Sequence, residues 1–134
     1  MAIERWARVK TLKNTEAIVE AEKKYGVTLS AALKNCIVEN NGGRPVPNAI
    51  KLANGEENDV KILLSYNAED IENIYKVISY FVNEYKGSVV PFASDSEGNY
   101  YCEMNGKVVL WYQDGDIVQA ANSFSEFLNS LYSI

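Results

Sequence analysis

The sequence predicts an α+β fold in which an antiparallel β-meander, Asn99–Ala120, lies in a mixed or antiparallel sheet packed against helices. Three observations predict it. Asn105-Gly106 and Asp114-Gly115 are dipeptides that turn two-residue β-hairpins, where positive φ is required. They divide the stretch into strands near Asn99–Met104, Lys107–Gln113 and Asp116–Ala120, with Val89–Phe92 ahead of them. Upstream, three segments repeat apolar residues at helical spacing, and Ser123 followed by Glu126 opens a C-terminal helix with capping-box spacing.

Taken in order, Met1–Lys13 is short and basic, with Trp6 read either as an N-terminal anchor or as part of a small helix. Asn14 or Thr15 caps a helix that runs to about Tyr25, its last turn carrying Lys23 and Lys24, and Gly26 ends it. A second helix covers about Ser30 to Asn40 and stops at Asn41-Gly42-Gly43. Those glycines follow a helix rather than lead into one, so they serve as a cap and not as a phosphate cradle. Arg44-Pro45-Val46-Pro47 reads as an extended connection. Ala49–Ala53 and Val60–Tyr66 read as strands joined by the polar loop Asn54–Asp59. A third helix, capped by Asn67 with Asp70 three residues on, carries the stripe Ile71, Ile74, Tyr75, Ile78, Phe81, Val82 and Tyr85, and Gly87 ends it.

The two-residue hairpins imply a register. Tyr100 pairs with Trp111 and Cys102 with Val109; across the second turn, Trp111 pairs with Val118 and Leu110 with Gln119. One sheet face then carries Tyr100, Cys102, Val109, Trp111, Val118 and Ala120, an apolar set that the third helix is expected to cover. The other carries Asn99, Tyr101, Glu103, Leu110, Tyr112 and Gln119. A mixed, tyrosine-rich face suits protein recognition, unless the rest of the chain covers it as well.

At 134 residues the chain reads as a single domain, 1–134, large enough for its own core. It lacks a secretory leader and any apolar run of membrane-spanning length, which predicts a cytoplasmic protein that does not bind membranes. Cys36 and Cys102 fall on apolar stripes and read as buried thiols. With no histidine, triads built on that residue are excluded. The net charge of −5 is unevenly placed. From Val89 onward, Asp95, Glu97, Glu103, Asp114, Asp116 and Glu126 face a lone base, Lys107, whereas the first 88 residues hold twelve charges of each sign. Such a surface repels nucleic acid and suits a basic protein.

Two acidic constellations invite chemistry. Asp95-Ser96-Glu97-Gly98-Asn99 resembles a calcium loop only faintly, lacking its closing bidentate glutamate, and reads as a polar turn with no metal bound. Asp114 and Asp116 could form a carboxylate pair for a small enzyme, but both flank a hairpin glycine and read as turn residues. No catalytic residue, cofactor site or metal site is therefore expected.

Val90-Pro91-Phe92-Ala93-Ser94-Asp95, Gly98-Asn99-Tyr100, the Val-Val-Leu-Trp-Tyr strand and Ser123-Phe124-Ser125-Glu126-Phe127-Leu128 together resemble the SUKH superfamily, named partly after fungal regulators of cell-wall assembly. Ile18, Glu22, Gly26, Leu29, Asn41-Gly42-Gly43 and Pro45 extend the likeness, which spans about Thr15 to Tyr132. The chain differs from many members in carrying Leu29-Ser30 in place of Leu-Pro and Gly98-Asn99 in place of Gly-Asp. The resemblance implies a non-catalytic domain. It further implies an immunity protein that holds a cognate polymorphic toxin, in many cases a nuclease, inactive by direct binding. A regulatory scaffold of the fungal kind is the alternative. The residues expected to meet a basic toxin are Asp95, Glu97, Tyr101, Glu103, Tyr112, Asp114 and Asp116.

Overall fold

The computed structural model describes residues 3–85 and 89–134, and shows an α+β domain built on a five-stranded antiparallel sheet. The sheet runs in the order β5 (Ile62–Leu63), β6 (Val89–Ser94), β7 (Tyr100–Met104), β8 (Lys107–Trp111) and β9 (Ile117–Ala121). Two small antiparallel ribbons flank it: β1 (Arg5–Ala7) with β2 (Arg44–Val46), and β3 (Ala49–Lys51) with β4 (Glu57–Asp59). Among the described residues four α-helices join these strands: α1 (Ala17–Tyr25), α2 (Ala31–Asn40), α3 (Ile78–Tyr85) and α4 (Phe124–Asn129).

Local chemistry explains most of the boundaries. Gly26 takes φ 67° and closes α1 by donating to the Glu22 carbonyl. Ser30 caps α2, its hydroxyl accepting from the Leu33 amide. Ser123 does the same for α4 through the Glu126 amide, while the Glu126 carboxylate reaches back to the Asn122 amide. At Asn105-Gly106 both residues hold positive φ, 52° and 80°, and the β7–β8 register follows as expected: Met104 against Lys107, Cys102 against Val109, Tyr100 against Trp111.

Helices cover both faces of the sheet. Phe92, Tyr101, Val108 and Leu110 enter the larger core with Ile18 of α1, Leu33 and Ile37 of α2, and Phe124 and Phe127 of α4. On the reverse face, Phe81 of α3 lies over Val89, Cys102, Val109 and Trp111, as its stripe predicts, whereas Val118 and Ala120, expected on that face, pack against the larger core. The Val82 and Tyr85 side chains and Gly87 lie outside what is described.

Four expectations need correction. The third helix begins at Ile78, not at Asn67. Residues 67–72 form bends and turns, Asn73 bridges to Ser65, and Ile74–Lys76 form a 3-10 turn capped by Asn73. Asn67 instead binds the N-terminal segment, accepting from the Lys13 amide and donating to the Thr11 carbonyl, which leaves Ile71 85% exposed. The expected loop Asn54–Asp59 holds a strand, β4, and the long strand expected over Val60–Tyr66 shrinks to Ile62–Leu63. Trp6 lies in a strand, β1, opposite Pro45, which rules out the small helix and leaves the N-terminal anchor, since it packs against the core. Finally, the β8–β9 pairing is shifted by one residue, with Trp111 opposite Ile117 and Leu110 opposite Val118. Here the loop has three residues. The Tyr112 amide donates to the Asp116 carbonyl, the Gly115 amide donates back to the Tyr112 carbonyl, and only Gly115 takes positive φ, 97°. The Asp114 carboxylate accepts from the Asp116 amide, and Asp114 does not take positive φ.

Both cysteines are free and buried, as expected. Burial raises the Cys36 thiol to about 11, against Asn40 contact that lowers it, and raises Cys102 further. Burial also raises the phenols of Tyr66 and Tyr101. The folded chain thus keeps protons that an unfolded chain releases above pH ~8.5 for thiols and ~10 for phenols. Stability is lost as pH rises through this window. The melting temperature is expected to hold between pH 7 and 8 and to fall steadily from about pH 9. Thiol labelling at pH 8 is expected to be slow until denaturant is added. A melting temperature constant to pH 11 would contradict the burial argument.

Candidate partner-binding surface

One loop design occurs three times. In Leu52–Glu56, Asp95–Asn99 and Tyr112–Asp116, the first amide donates to the fifth carbonyl, and the fourth residue, a glycine, donates to the first carbonyl. Gly55, Gly98 and Gly115 all hold positive φ, 89°, 87° and 97°. At Gly98 space is also short, since a Cβ would lie 2.7 Å from Gln113 Nε2.

Side chains tie the loops together. The Gln113 amide group donates to the Glu97 and Gly98 carbonyls, both at 3.2 Å, and the Gln113 backbone amide donates to Asn99 Oδ1. The Ala53 amide donates to the Gln119 carbonyl of β9, which fastens the first loop to the sheet. Tyr112 begins the third loop and is half-buried at the surface. Desolvation raises its phenol, followed by Glu56, Asp95, Glu97 and Asp114, so the charges acting on it are carboxylates from all three loops. Lys107 is placed at the opposite end of β7 and β8 by their register. Among the described residues, ion pairs join Lys13 to Glu69, Lys34 to Glu22 and Lys61 to Glu72, so they use none of the carboxylates around Tyr112.

The seven expected contact residues separate into two groups. Glu97, Asp114 and Asp116 are exposed and Tyr112 is half-buried at the surface. Asp95, Tyr101 and Glu103 are buried, so of the two readings of the Tyr101/Tyr112 face the covered one holds at Tyr101, and these three are corrected as contact residues. Asp95 organises its loop, accepting from the Glu97 and Asn99 amides and from the side-chain amides of Asn58 and Asn99, at 2.8–3.0 Å. Tyr101 is fully buried beside Phe127, its hydroxyl donating to the Asp59 carbonyl at 2.8 Å. Glu103 accepts from both the amide and the hydroxyl of Ser30, at 3.0 and 2.6 Å, and so steadies the cap of α2. Tyr101 and Glu103 belong to the interior because helices pack over them, and Asp95 because its own loop and Asn58 of β4 enclose it.

Glu56 was missed. Its signal was the Asn54-Gly55 dipeptide, the same turn chemistry recognised farther along the chain. Among the described residues no three His, Cys, Asp or Glu side chains are grouped to hold a metal, and no helix is long and apolar enough to cross a membrane.

Comparison with known proteins places this surface in context. The chain is 31% identical over 86 residues to the SPbeta prophage-derived uncharacterized protein YokK of Bacillus subtilis (strain 168), an alignment covering 58% of this chain and 45% of that protein. The chain thus spans about half the length of that relative. No solved structure matches. The model of the SMI1 / KNR4 family (SUKH-1) matches residues 14–130, which contain α1 to α4, the five-stranded sheet and all three acidic loops. The chain belongs to the SMI1 / KNR4 family (SUKH-1).

Proposed function

We propose that this protein is an immunity protein that neutralises a cognate basic toxin by stoichiometric binding, with no bond made or broken. The observation that carries the reading is a set of three loops, each held by its own backbone hydrogen bonds, that present Glu56, Glu97, Asp114 and Asp116 to solvent. Rigid loops bind without a large ordering cost, and concentrated negative charge steers a basic partner onto them. A toxin that acts on nucleic acid must present a cationic groove to phosphates, and an acidic protein end can fill that groove. Family membership supports the reading.

The experiment is co-expression with the toxin encoded beside this gene, followed by isolation of the complex. The expected result is restored growth and a 1:1 complex. Unrelieved toxicity, or recovery of several cellular proteins and no toxin, would favour a regulatory scaffold instead.

A further inference from the structure

Three asparagine-glycine pairs occur in the chain, Asn41-Gly42, Asn54-Gly55 and Asn105-Gly106. Each carries the same latent chemistry: with no side chain in the way, the glycine nitrogen can reach the preceding side-chain amide and close a cyclic imide. The fold treats the three differently. Asn41 is 1% exposed and its amide is engaged at both ends, Oδ1 accepting from the Tyr66 amide and Nδ2 donating to the Lys10 carbonyl and to Ser65 Oγ. Gly42 is crowded as well, since a Cβ there would lie 2.8 Å from Lys10 Cγ. Asn54 is exposed but tied down. Its Oδ1 accepts from the Glu56 amide, its Nδ2 donates to the Glu56 carboxylate, and the Gly55 amide donates to the Leu52 carbonyl. Asn105 is exposed at the β7–β8 tip, and among the described residues no hydrogen bond holds its side chain or the Gly106 amide. A Cβ on Gly106 would meet nothing within 4 Å, so the tip is open on every side.

We infer that Asn105 is a site of spontaneous deamidation and isomerisation in the folded protein. The Gly106 nitrogen loses its proton to base and attacks the Asn105 side-chain carbonyl carbon. A new C–N bond closes a succinimide, and Nδ2 leaves with an added proton as ammonia. Water then opens the ring. Breaking the bond from the ring nitrogen to the side-chain carbon leaves aspartate, and breaking the bond to the main-chain carbon leaves isoaspartate. Either product puts a carboxylate where a neutral amide stood. Isoaspartate also lengthens the main chain by a methylene, in a turn whose length sets the β7–β8 register. Asp114-Gly115 can close the same ring but is restrained, the Asp114 carboxylate accepting from the Asp116 amide and the Gly115 amide donating to the Tyr112 carbonyl. The tip lies at the opposite end of β7 and β8 from the loops Asp95–Asn99 and Tyr112–Asp116, so its chemistry is separate from partner binding.

The test is peptide mapping by mass spectrometry, with enzymatic methylation to mark isoaspartate, on the full chain incubated at mildly alkaline pH, folded and in urea. In the folded protein the Asn105 peptide is expected to convert about tenfold or more faster than the Asn54 peptide, whose side-chain hydrogen bonds must first break. The Asn41 peptide is expected to stay unchanged. In urea all three are expected to convert at similar rates. Asn105→Gly keeps a residue suited to positive φ in the turn and is expected to abolish the first acidic species to form. Faster conversion at Asn54 or Asn41 than at Asn105 in the folded chain would overturn the assignment. So would an Asn105 lead that persists undiminished in urea, which would trace it to sequence and not to the fold.

Discussion

Asp95→Ala is expected to cost about 3 kcal/mol of unfolding free energy, since hydrogen bonds to a charged acceptor contribute about 1.5–3 kcal/mol each but do not add. The carboxylate is 2% exposed and accepts four hydrogen bonds. Alanine leaves the Asn99 amide and side chain without acceptors in a buried site, since Asn99 is itself 7% exposed. It also frees Asn58, which links the loop to β4. The Glu97 amide, near solvent, can turn to water, which keeps the total below the simple sum. A loss of this size lowers the melting temperature by roughly 10 °C in a domain of this length. Urea denaturation measures it, with Glu97→Ala as the control expected to stay within about 0.5 kcal/mol. A loss under about 1 kcal/mol would show that the loop holds its shape without Asp95.

The second large effect is on binding. Reversing Glu97, Asp114 and Asp116 together to lysine is expected to weaken the complex with the neighbouring toxin by about a thousandfold, because close charge pairs at interfaces couple by about 1.5–7 kcal/mol. All three side chains are exposed, so folding changes little; the main structural loss is the Asp114 contact to the Asp116 amide. Binding of the parent is expected to weaken steeply with added salt and that of the variant to respond little. Lys107→Glu, at the other end of the strands, is the matched control and is expected to leave affinity unchanged. Calorimetric titration of parent and variants reads all of these. Equal affinities would remove the acidic loops from the interface.

Much of this molecule was legible where local chemistry acts alone. Gly26, Ser30 and Ser123 end or begin helices through backbone groups within a few residues, and Asn105-Gly106 admits one hairpin geometry. Legibility failed where tertiary contacts choose between local options. Asp-Gly fits both a two-residue turn and a three-residue loop ending in a left-handed glycine; Gln113, bonded to the neighbouring loop, accompanies the latter and shifts β9 by one position. Asn67 has the makings of a helix cap, yet the N-terminal segment claims its side chain. The site shows the same division. A surplus of acid after Val89 was visible in composition, but alternation could not tell that helices would cover both faces and bury Tyr101 and Glu103. Glu56 was hidden because it belongs to a stretch whose charges cancel, and only folding brings it to Tyr112.

Hydrogen exchange of the protein alone and bound to the neighbouring toxin tests most directly whether the three-loop end is the binding surface. Amides in residues 53–58, 96–99 and 112–117 are expected to slow on binding, while the Asn105–Lys107 tip exchanges as before. Slowing confined to that tip, or to the outer faces of α1 and α2, with the three loops unaffected, would contradict it.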